Sequence, residues 1–204
     1  MPEEEATKNT YDESAAVWTV HRSQSDFWLE ELKIFHKLLP NGSILEIGSG
    51  AGRDVENLVN LGYKYTGTDI SEGMLKIARQ KFPKQKFYRQ SVYDLSFPKE
   101  FDGFWAAAVL LHIPKSRMVE ALGKIRNTMK PGAVGFISLK DGSGENLQED
   151  DFGDKKLRRF YSYWTKDEFI NVLEVAEYEL LEYSYKPNVG STKENWYCFF
   201  VKTL

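Results

Sequence analysis

Between residues 43 and 139 short apolar runs alternate with amphipathic stretches in a regular rhythm. Ser43–Ile47, Tyr63–Thr68, Lys86–Gln90, Phe101–Leu110 and Val134–Leu139 have the length and composition of buried strands. Arg53–Leu61, Ser71–Phe82 and Lys115–Met129 carry apolar residues at helical spacing. The punctuation falls between them. Gly62 stops the first helix, Ser71 caps the second and Pro83 ends it, and Lys130-Pro131-Gly132 stops the third. Strand and helix in this order mean βαβ crossovers, and therefore a parallel sheet covered on both faces.

The flanks break the rhythm. Upstream, Pro2–Asn9 reads as a frayed polar tail. Tyr11–Leu39 reads as two helical pieces that part near His21-Arg22-Ser23. Ser25 is the expected cap of the second piece, whose Phe27, Trp28, Leu32, Phe35, Leu38 and Leu39 recur on one face until Pro40-Asn41-Gly42 ends it. Downstream, Asp141–Asp154 is rich in Gly, Asp and Glu and reads as a loop. Thr165–Leu173 reads as a helix in which Thr165 and Glu168 form a capping box. Glu179–Tyr185 and Trp196–Lys202 follow as strands with no helix between them, which predicts an antiparallel pair at one edge of the sheet.

Length and charge narrow the classes. The chain has 204 residues, 42% apolar and 28% charged, with a net charge of -3, so one soluble domain is expected with no general attraction to nucleic acid or acidic membrane. The single cysteine, Cys198, cannot form an internal disulfide. The first eight residues are acidic and polar, unlike a secretory leader, and no apolar run approaches the roughly 20 residues that span a bilayer. A cytoplasmic location is the expectation.

The candidate chemistry begins at the first strand end. Gly48-Ser49-Gly50-Ala51-Gly52 lies where open parallel sheets bind ligands, beyond the carboxyl ends of the strands. Its spacing is G-x-G-x-G. The G-x-G-x-x-G of dinucleotide folds places the third glycine one residue later, which argues against a nicotinamide dehydrogenase. Glu46, just before the loop, would repel a pyrophosphate. It would suit an ammonium or sulfonium charge, and S-adenosylmethionine carries both. Asp69, at the end of the second strand, is in the usual place for accepting ribose hydroxyls.

With these residues in view, a family resemblance emerges. Ile44-Leu45-Glu46-Ile47-Gly48-Ser49-Gly50-Ala51-Gly52-Arg53-Asp54 resembles the first motif of class I S-adenosylmethionine-dependent methyltransferases, and Gly67-Thr68-Asp69-Ile70-Ser71-Glu72-Gly73-Met74-Leu75 resembles their second. Phe101–Ala108 with Leu110-Leu111-His112-Ile113-Pro114 is similar to the fourth-strand segment of the small-molecule branch, the methyltransferase-domain type 11/25 group. Met129-Lys130-Pro131-Gly132-Ala133 is similar to the usual entry to strand five. The resemblance implies an α/β, Rossmann-like, doubly wound, mostly parallel seven-stranded sheet with a C-terminal antiparallel hairpin and N-terminal lid helices. It implies a single domain over 1–204: a helical lid over 1–40, a cofactor-binding core over 41–140, an acceptor-side insertion over 141–164, and a C-terminal helix and hairpin over 165–204. Glu46, Gly48, Ser49, Gly50 and Gly52 would hold the methionine portion of S-adenosylmethionine, with S-adenosylhomocysteine as the product. Asp69 would hold the ribose, Ile70 and Met74 the adenine face, Ser91, Val92 and Tyr93 the adenine edge, and Ala107 would lie near the sulfur. Many relatives carry Asp at the position of Ser91, where a serine hydroxyl accepts from the adenine amino group more weakly.

Methyl transfer from a sulfonium is an in-line displacement in which the protein mainly positions two reactants. His112, after the fourth strand, is the candidate base, set against a structural role capping the turn before Pro114. Cys198 reads as core, and the three histidines lack metal-ligand spacing, so no metal site is predicted. For the acceptor the candidates are Tyr11, Trp18 and Arg22 on the N-terminal helices and Lys140, Arg159 and Tyr163 around the insertion, able to take an anionic or aromatic molecule. Arg158, Tyr161 and Trp164 lie in the same stretch. The expected partner is a small-molecule acceptor, with neither nucleic acid nor membrane, in a monomer or homodimer. The rival readings are an RNA (tRNA) methyltransferase, disfavoured because the basic-aromatic segment holds only the four basic residues Lys155, Lys156, Arg158 and Arg159 in an otherwise acidic protein and no RNA-binding domain is appended, and a non-catalytic scaffold that binds the cofactor.

Overall fold

The computed structural model describes residues 2–21, 26–152, 155–189 and 194–204. Its main sheet has seven strands: β1 (Ser43–Ile47), β2 (Lys64–Asp69), β3 (Lys86–Arg89), β4 (Phe101–Ala106), β5 (Met129–Lys140), β8 (Tyr178–Val189) and β9 (Glu194–Thr203), in the order β3-β2-β1-β4-β5-β9-β8. The β1 to β5 pairings are parallel, whereas β9 runs antiparallel to both β5 and β8. This is the Rossmann-like sheet with a C-terminal hairpin that the alternating pattern predicts. The chain moves outward from β1 through β2 to β3, then returns to place β4 on the other side of β1. A crevice therefore opens at the carboxyl ends of β1 and β4, where ligands bind in such sheets.

Helices α3 (Val55–Asn60), α4 (Glu72–Lys81), α5 (Met118–Arg126) and α6 (Lys166–Val175) alternate with the strands, and α1 (Pro2–His21) and α2 (Leu29–Leu38) precede them. Ser71 caps α4 by accepting from the Met74 N–H at 3.1 Å. The core is aromatic: Trp105 on β4 stacks on Phe136 of β5 at 3.9 Å between ring centres, and Trp28, ahead of α2, meets Phe136 and Trp196 edge-on at 5.7 and 5.6 Å. Cys198 on β9 is fully buried between Ser138 and Ser184 of the flanking strands, and burial pushes its thiol pKa up to about 12, as expected of a core residue.

Several boundaries depart from the sequence reading. Pro2–Asn9 is not a tail: it is the start of α1. Among the described side chains of α1 the buried ones are the hydroxyl residues Thr7, Thr10 and Ser14 together with Ala15, too little apolar surface for periodicity to reveal. The Thr10 hydroxyl donates to Arg158 O at 2.6 Å and the Phe160 N–H donates to Thr7 Oγ1 at 3.0 Å, which seats the helix on β7 (Lys155–Ser162). Asp12 accepts from Ser71 Oγ at 2.6 Å and from the Gly73 N–H at 2.9 Å, which seats it on the start of α4. The stretch 141–154 is not a loop throughout. It contains β6 (Glu145–Phe152), which pairs antiparallel with β7 (Lys155–Ser162) in a sheet of their own. The fourth strand ends at Ala106, and Leu110–His112 forms a 3₁₀ turn. The capping box is half made: Thr165 accepts from the Glu168 N–H at 3.3 Å, but the Glu168 carboxylate goes to Lys115 Nζ at 2.7 Å. The expected cap Ser25 lies outside the described residues.

Candidate active site

The glycine loop leaves β1 with Gly48, Gly50 and Gly52 at φ +67°, +53° and +83°, a region that side chains with a Cβ disfavour. Two of these glycines are also sterically required. A Cβ on Gly48 would lie 2.3 Å from Val109 Cγ2, and one on Gly52 would lie 2.8 Å from the Phe82 ring. At Gly50 a Cβ would meet nothing within 4 Å, because this residue faces open space. The loop is tied to β2 twice: the Ser49 N–H donates to Thr68 O at 2.8 Å, and the Gly50 N–H donates to Asp69 Oδ2 at 2.8 Å. Asp69 Oδ1 accepts from the Ser71 N–H at 2.8 Å, so each carboxylate oxygen has one backbone donor and keeps acceptor capacity for a ligand.

Glu46 is buried under the loop and accepts from the Tyr65 hydroxyl on the neighbouring strand. Gly67 makes room for that contact, since a Cβ there would lie 2.5 Å from the Tyr65 oxygen. Burial, and then the nearby Asp54, raise the Glu46 pKa well above the ordinary carboxylate range. Asp54 is itself held by Arg53 at 2.9 Å and by the Trp105 indole N–H at 3.1 Å. Burial also raises the Asp69 pKa, to about 6, although its backbone donors pull the other way. This end of the crevice is an acidic, buried surface suited to a cation and to hydroxyl donors.

One cavity of about 540 Å³ runs from this loop to a second pole of opposite charge. There Lys140, at the end of β5, and Arg159, on β7, are both buried. Lys140 pairs with Glu194, and its Nζ lies 4.0 Å from the centre of the Tyr161 ring. Arg159 Nη1 donates to the Tyr11 hydroxyl at 3.0 Å and its guanidinium lies 5.2 Å from the Tyr161 ring centre. His112 sits between the poles. A carbonyl only accepts, so the 2.6 Å contact with Phe160 O fixes the proton on Nδ1, and Nε2 accepts from the Tyr11 hydroxyl at 2.9 Å. Burial first, then the charges of Arg159 and Lys140, lower the His112 pKa to about 3, so the imidazole is neutral.

Of the residues expected from the sequence, Glu46, Gly48, Ser49, Gly50, Gly52, Asp69, Ile70, Met74, Ser91, Val92 and Ala107 all line this cavity, together with His112, Tyr11, Lys140 and Arg159. Tyr93 is not part of the lining: its ring packs under Arg117, whose guanidinium lies 3.5 Å from the ring centre. Tyr163 also faces elsewhere, its hydroxyl donating to Gln148 Oε1 at 3.2 Å. Trp164 is core, and Arg158 is exposed beside Glu149. Arg22 and the side chain of Trp18 lie outside the described residues. The sequence reading missed Glu4, Thr7, Trp28, Glu194 and Trp196 as lining residues. Trp196 was findable in principle, since an antiparallel β9 beside β5 brings it opposite Lys140.

Comparison with known proteins agrees with this geometry. The pattern of the methyltransferase-domain family matches residues 44–132, from the first strand to the entry of the fifth. The ubiquinone biosynthesis O-methyltransferase of Nitrosococcus oceani is 34% identical over 110 residues, covering 50% of this chain and 45% of that protein. The trans-aconitate 2-methyltransferase of Sinorhizobium medicae is 27% identical over 109 residues, covering 52% and 42%. The chain thus spans less than half the length of these curated relatives. Among solved structures, 1,6-didemethyltoxoflavin-N1-methyltransferase of Burkholderia thailandensis, with 1,6-didemethyltoxoflavin and S-adenosylhomocysteine bound, superposes with a TM-score of 0.74 at 19% identity, covering 96% of this chain and 84% of that one.

Proposed function

Because residues 44–132 carry a class I S-adenosylmethionine-dependent methyltransferase domain, we propose that this chain transfers the methyl group of S-adenosylmethionine to a small acceptor bearing a negative charge and a flat ring. The observation that carries the reading is the two-pole cavity, with Glu46 and Asp69 at one end and Lys140 and Arg159 at the other. The acidic end fits the cofactor on its own terms. Glu46 is a buried carboxylate with a raised pKa, which gains a partner when an ammonium arrives. Asp69 has acceptor capacity to spare for ribose hydroxyls, and Gly50 opens the backbone to close approach.

S-adenosylmethionine supplies the electrophilic methyl group, and the residues of the chain position what attacks it. Arg159 and Lys140 would anchor the anionic group of the acceptor, and Tyr161 and Trp196 would pack against its ring. Burial, and then the charges of Arg159 and Lys140, lower the His112 pKa and make the imidazole a weak base. An anion bound between those cations screens them and raises it. His112 would therefore take a proton, through the Tyr11 hydroxyl, only once the acceptor has arrived. On this reading 1–40 act as the lid, 41–140 as the cofactor core, 141–164 as the acceptor side, and 165–204 complete the sheet. The trans-aconitate enzyme, whose name specifies a carboxylate substrate, supports an anionic acceptor. The cavity cations are buried rather than displayed, which favours a small molecule over RNA. The proposed location is the cytoplasm; no described helix is long and apolar enough to cross a membrane.

The first test is calorimetric titration with S-adenosylmethionine, S-adenosylhomocysteine and NAD, followed by a methylation screen of aromatic carboxylates, phenolates and tRNA. Binding of the two sulfur ligands but not NAD, with turnover on an aromatic anion, is the expected result. Binding without turnover on any acceptor would favour the scaffold, salt-sensitive turnover on tRNA would favour the RNA enzyme, and no binding of either sulfur ligand would end the reading.

A further inference from the structure

Ser91 is the weak point of the cofactor site. Its hydroxyl proton goes to Glu4 Oε1 at 2.5 Å, and its oxygen accepts from the Tyr93 N–H at 3.3 Å. That hydroxyl is already committed within the protein. Glu4 belongs to α1, 87 residues away in sequence, and lines the same cavity as Ser91, Val92 and Ile70. A carboxylate offers about four lone-pair positions, so it can accept from more than one donor at a time. Arg117, stacked on the Tyr93 ring, lies close enough to exert a charge interaction on Glu4.

Building on the cofactor assignment above, we infer that Glu4 accepts the adenine amino group of S-adenosylmethionine, and that Ser91 is the residue that positions Glu4. The acceptor that relatives commonly carry after the third strand is here supplied by the lid helix. This arrangement couples the two ends of the cavity. Glu4, Thr7 and Tyr11 recur at three- and four-residue spacing on one face of α1, and all line the cavity. Seven residues span about 10 Å of helix, so the helix that reads adenine at one end holds the Tyr11 hydroxyl at the other. A cofactor held by Glu4 would fasten α1 more firmly in the seat that Thr7, Thr10 and Asp12 already give it, and with it the Tyr11 hydroxyl at the acceptor end. Bare protein would then hold the acceptor more weakly than the protein loaded with S-adenosylhomocysteine.

The inference is tested by calorimetry with S-adenosylhomocysteine and its 6-oxo (inosine) analogue, which presents an acceptor where adenine presents a donor. Wild-type protein is expected to prefer the adenine form by about tenfold or more, the range of a hydrogen bond to a charged group. Glu4→Gln can donate to the 6-oxo group, so the preference is expected to shrink to within about threefold, mainly by tighter binding of the analogue. Ser91→Ala is expected to give an intermediate ratio, and thermal melts should show all three proteins equally folded. A Glu4→Gln variant that keeps the wild-type ratio would overturn the role of Glu4. If wild-type protein binds neither ligand, the cofactor assignment beneath the inference falls as well.

Discussion

The glycine-loop end of the cavity comes mostly from one continuous stretch, Glu46 to Val92, wound through β1, β2 and β3, whereas the other end is assembled from Tyr11, His112, Lys140, Arg159 and Trp196 on elements scattered from α1 to β9. At the first end the backbone does most of the work. Positive φ values, loop N–H groups and one carboxylate at each strand end are local properties, and they leave a local mark in the sequence. At the second end side chains do the work and only the tertiary fold brings them together. The contrast matches the two tasks proposed for them: a shared cofactor can be held by a fixed backbone frame, while an acceptor is chosen by side chains on variable additions to that frame.

The sharpest way to break the contrast is to give the backbone frame a side chain. Gly48→Ala places a Cβ 2.3 Å from Val109 Cγ2 at a φ of +67°. We expect no measurable binding of S-adenosylhomocysteine by calorimetry and a stability loss of about 2–4 kcal/mol in chemical denaturation, from left-handed strain plus overpacking. A variant that melted like wild type and bound normally would mean the loop is not the rigid cradle described above.

A smaller effect, confined to the other end, is expected for His112→Gln. Glutamine can still donate to Phe160 O but is a poor proton acceptor. Turnover should fall by about a hundredfold on an acceptor that must lose a proton, with S-adenosylhomocysteine affinity within about twofold of wild type. Equal losses in both measurements would assign His112 to structure, as a pin for β7 and Tyr11.

The same contrast decides what could be read from the sequence. The parallel sheet, its hairpin and nearly the whole glycine-loop end were legible because buried strands, turn glycines and strand-end carboxylates are short-range signals. Tyr93 was placed wrongly because its neighbours Ser91 and Val92 do line the cavity while the 3₁₀ turn Val92–Asp94 swings its ring under Arg117. α1 was misjudged at its start because Thr7 and Thr10, polar residues satisfied by β7, take buried positions where an apolar stripe would otherwise show. β6 was read as a loop for a related reason. Its Leu147 is 46% exposed, like the other described side chains of the strand exposed at 145–149, so among these residues no buried face imposes an alternating pattern. Glu4 in a polar leader gave no signal, since its partner Ser91 is set by the fold alone.

The smallest expected effect sharpens the comparison through pH, because the two poles titrate in different ranges. With its pKa raised to about 6, Asp69 is largely ionised at pH 7.5 and largely protonated at pH 5. Ribose hydroxyls donate to the ionised form, so a bound ligand lowers this pKa and binding releases protons below about pH 6. The Asp69 share of the affinity for S-adenosylhomocysteine should be flat above about pH 7 and weaken by about tenfold between pH 7 and pH 5. Glu46 has a raised pKa too and favours a bound ammonium when ionised, so its contribution has the same sign and can only steepen the fall. His112, with a pKa lowered to about 3, is neutral across the whole range and contributes nothing to it. Asp69→Asn removes the titrating group, and its weaker binding should lose the Asp69 share of the slope. A slope unchanged in Asp69→Asn would transfer the titration to Glu46, and an affinity that rose as the pH fell would contradict the acidic character assigned to the glycine-loop end.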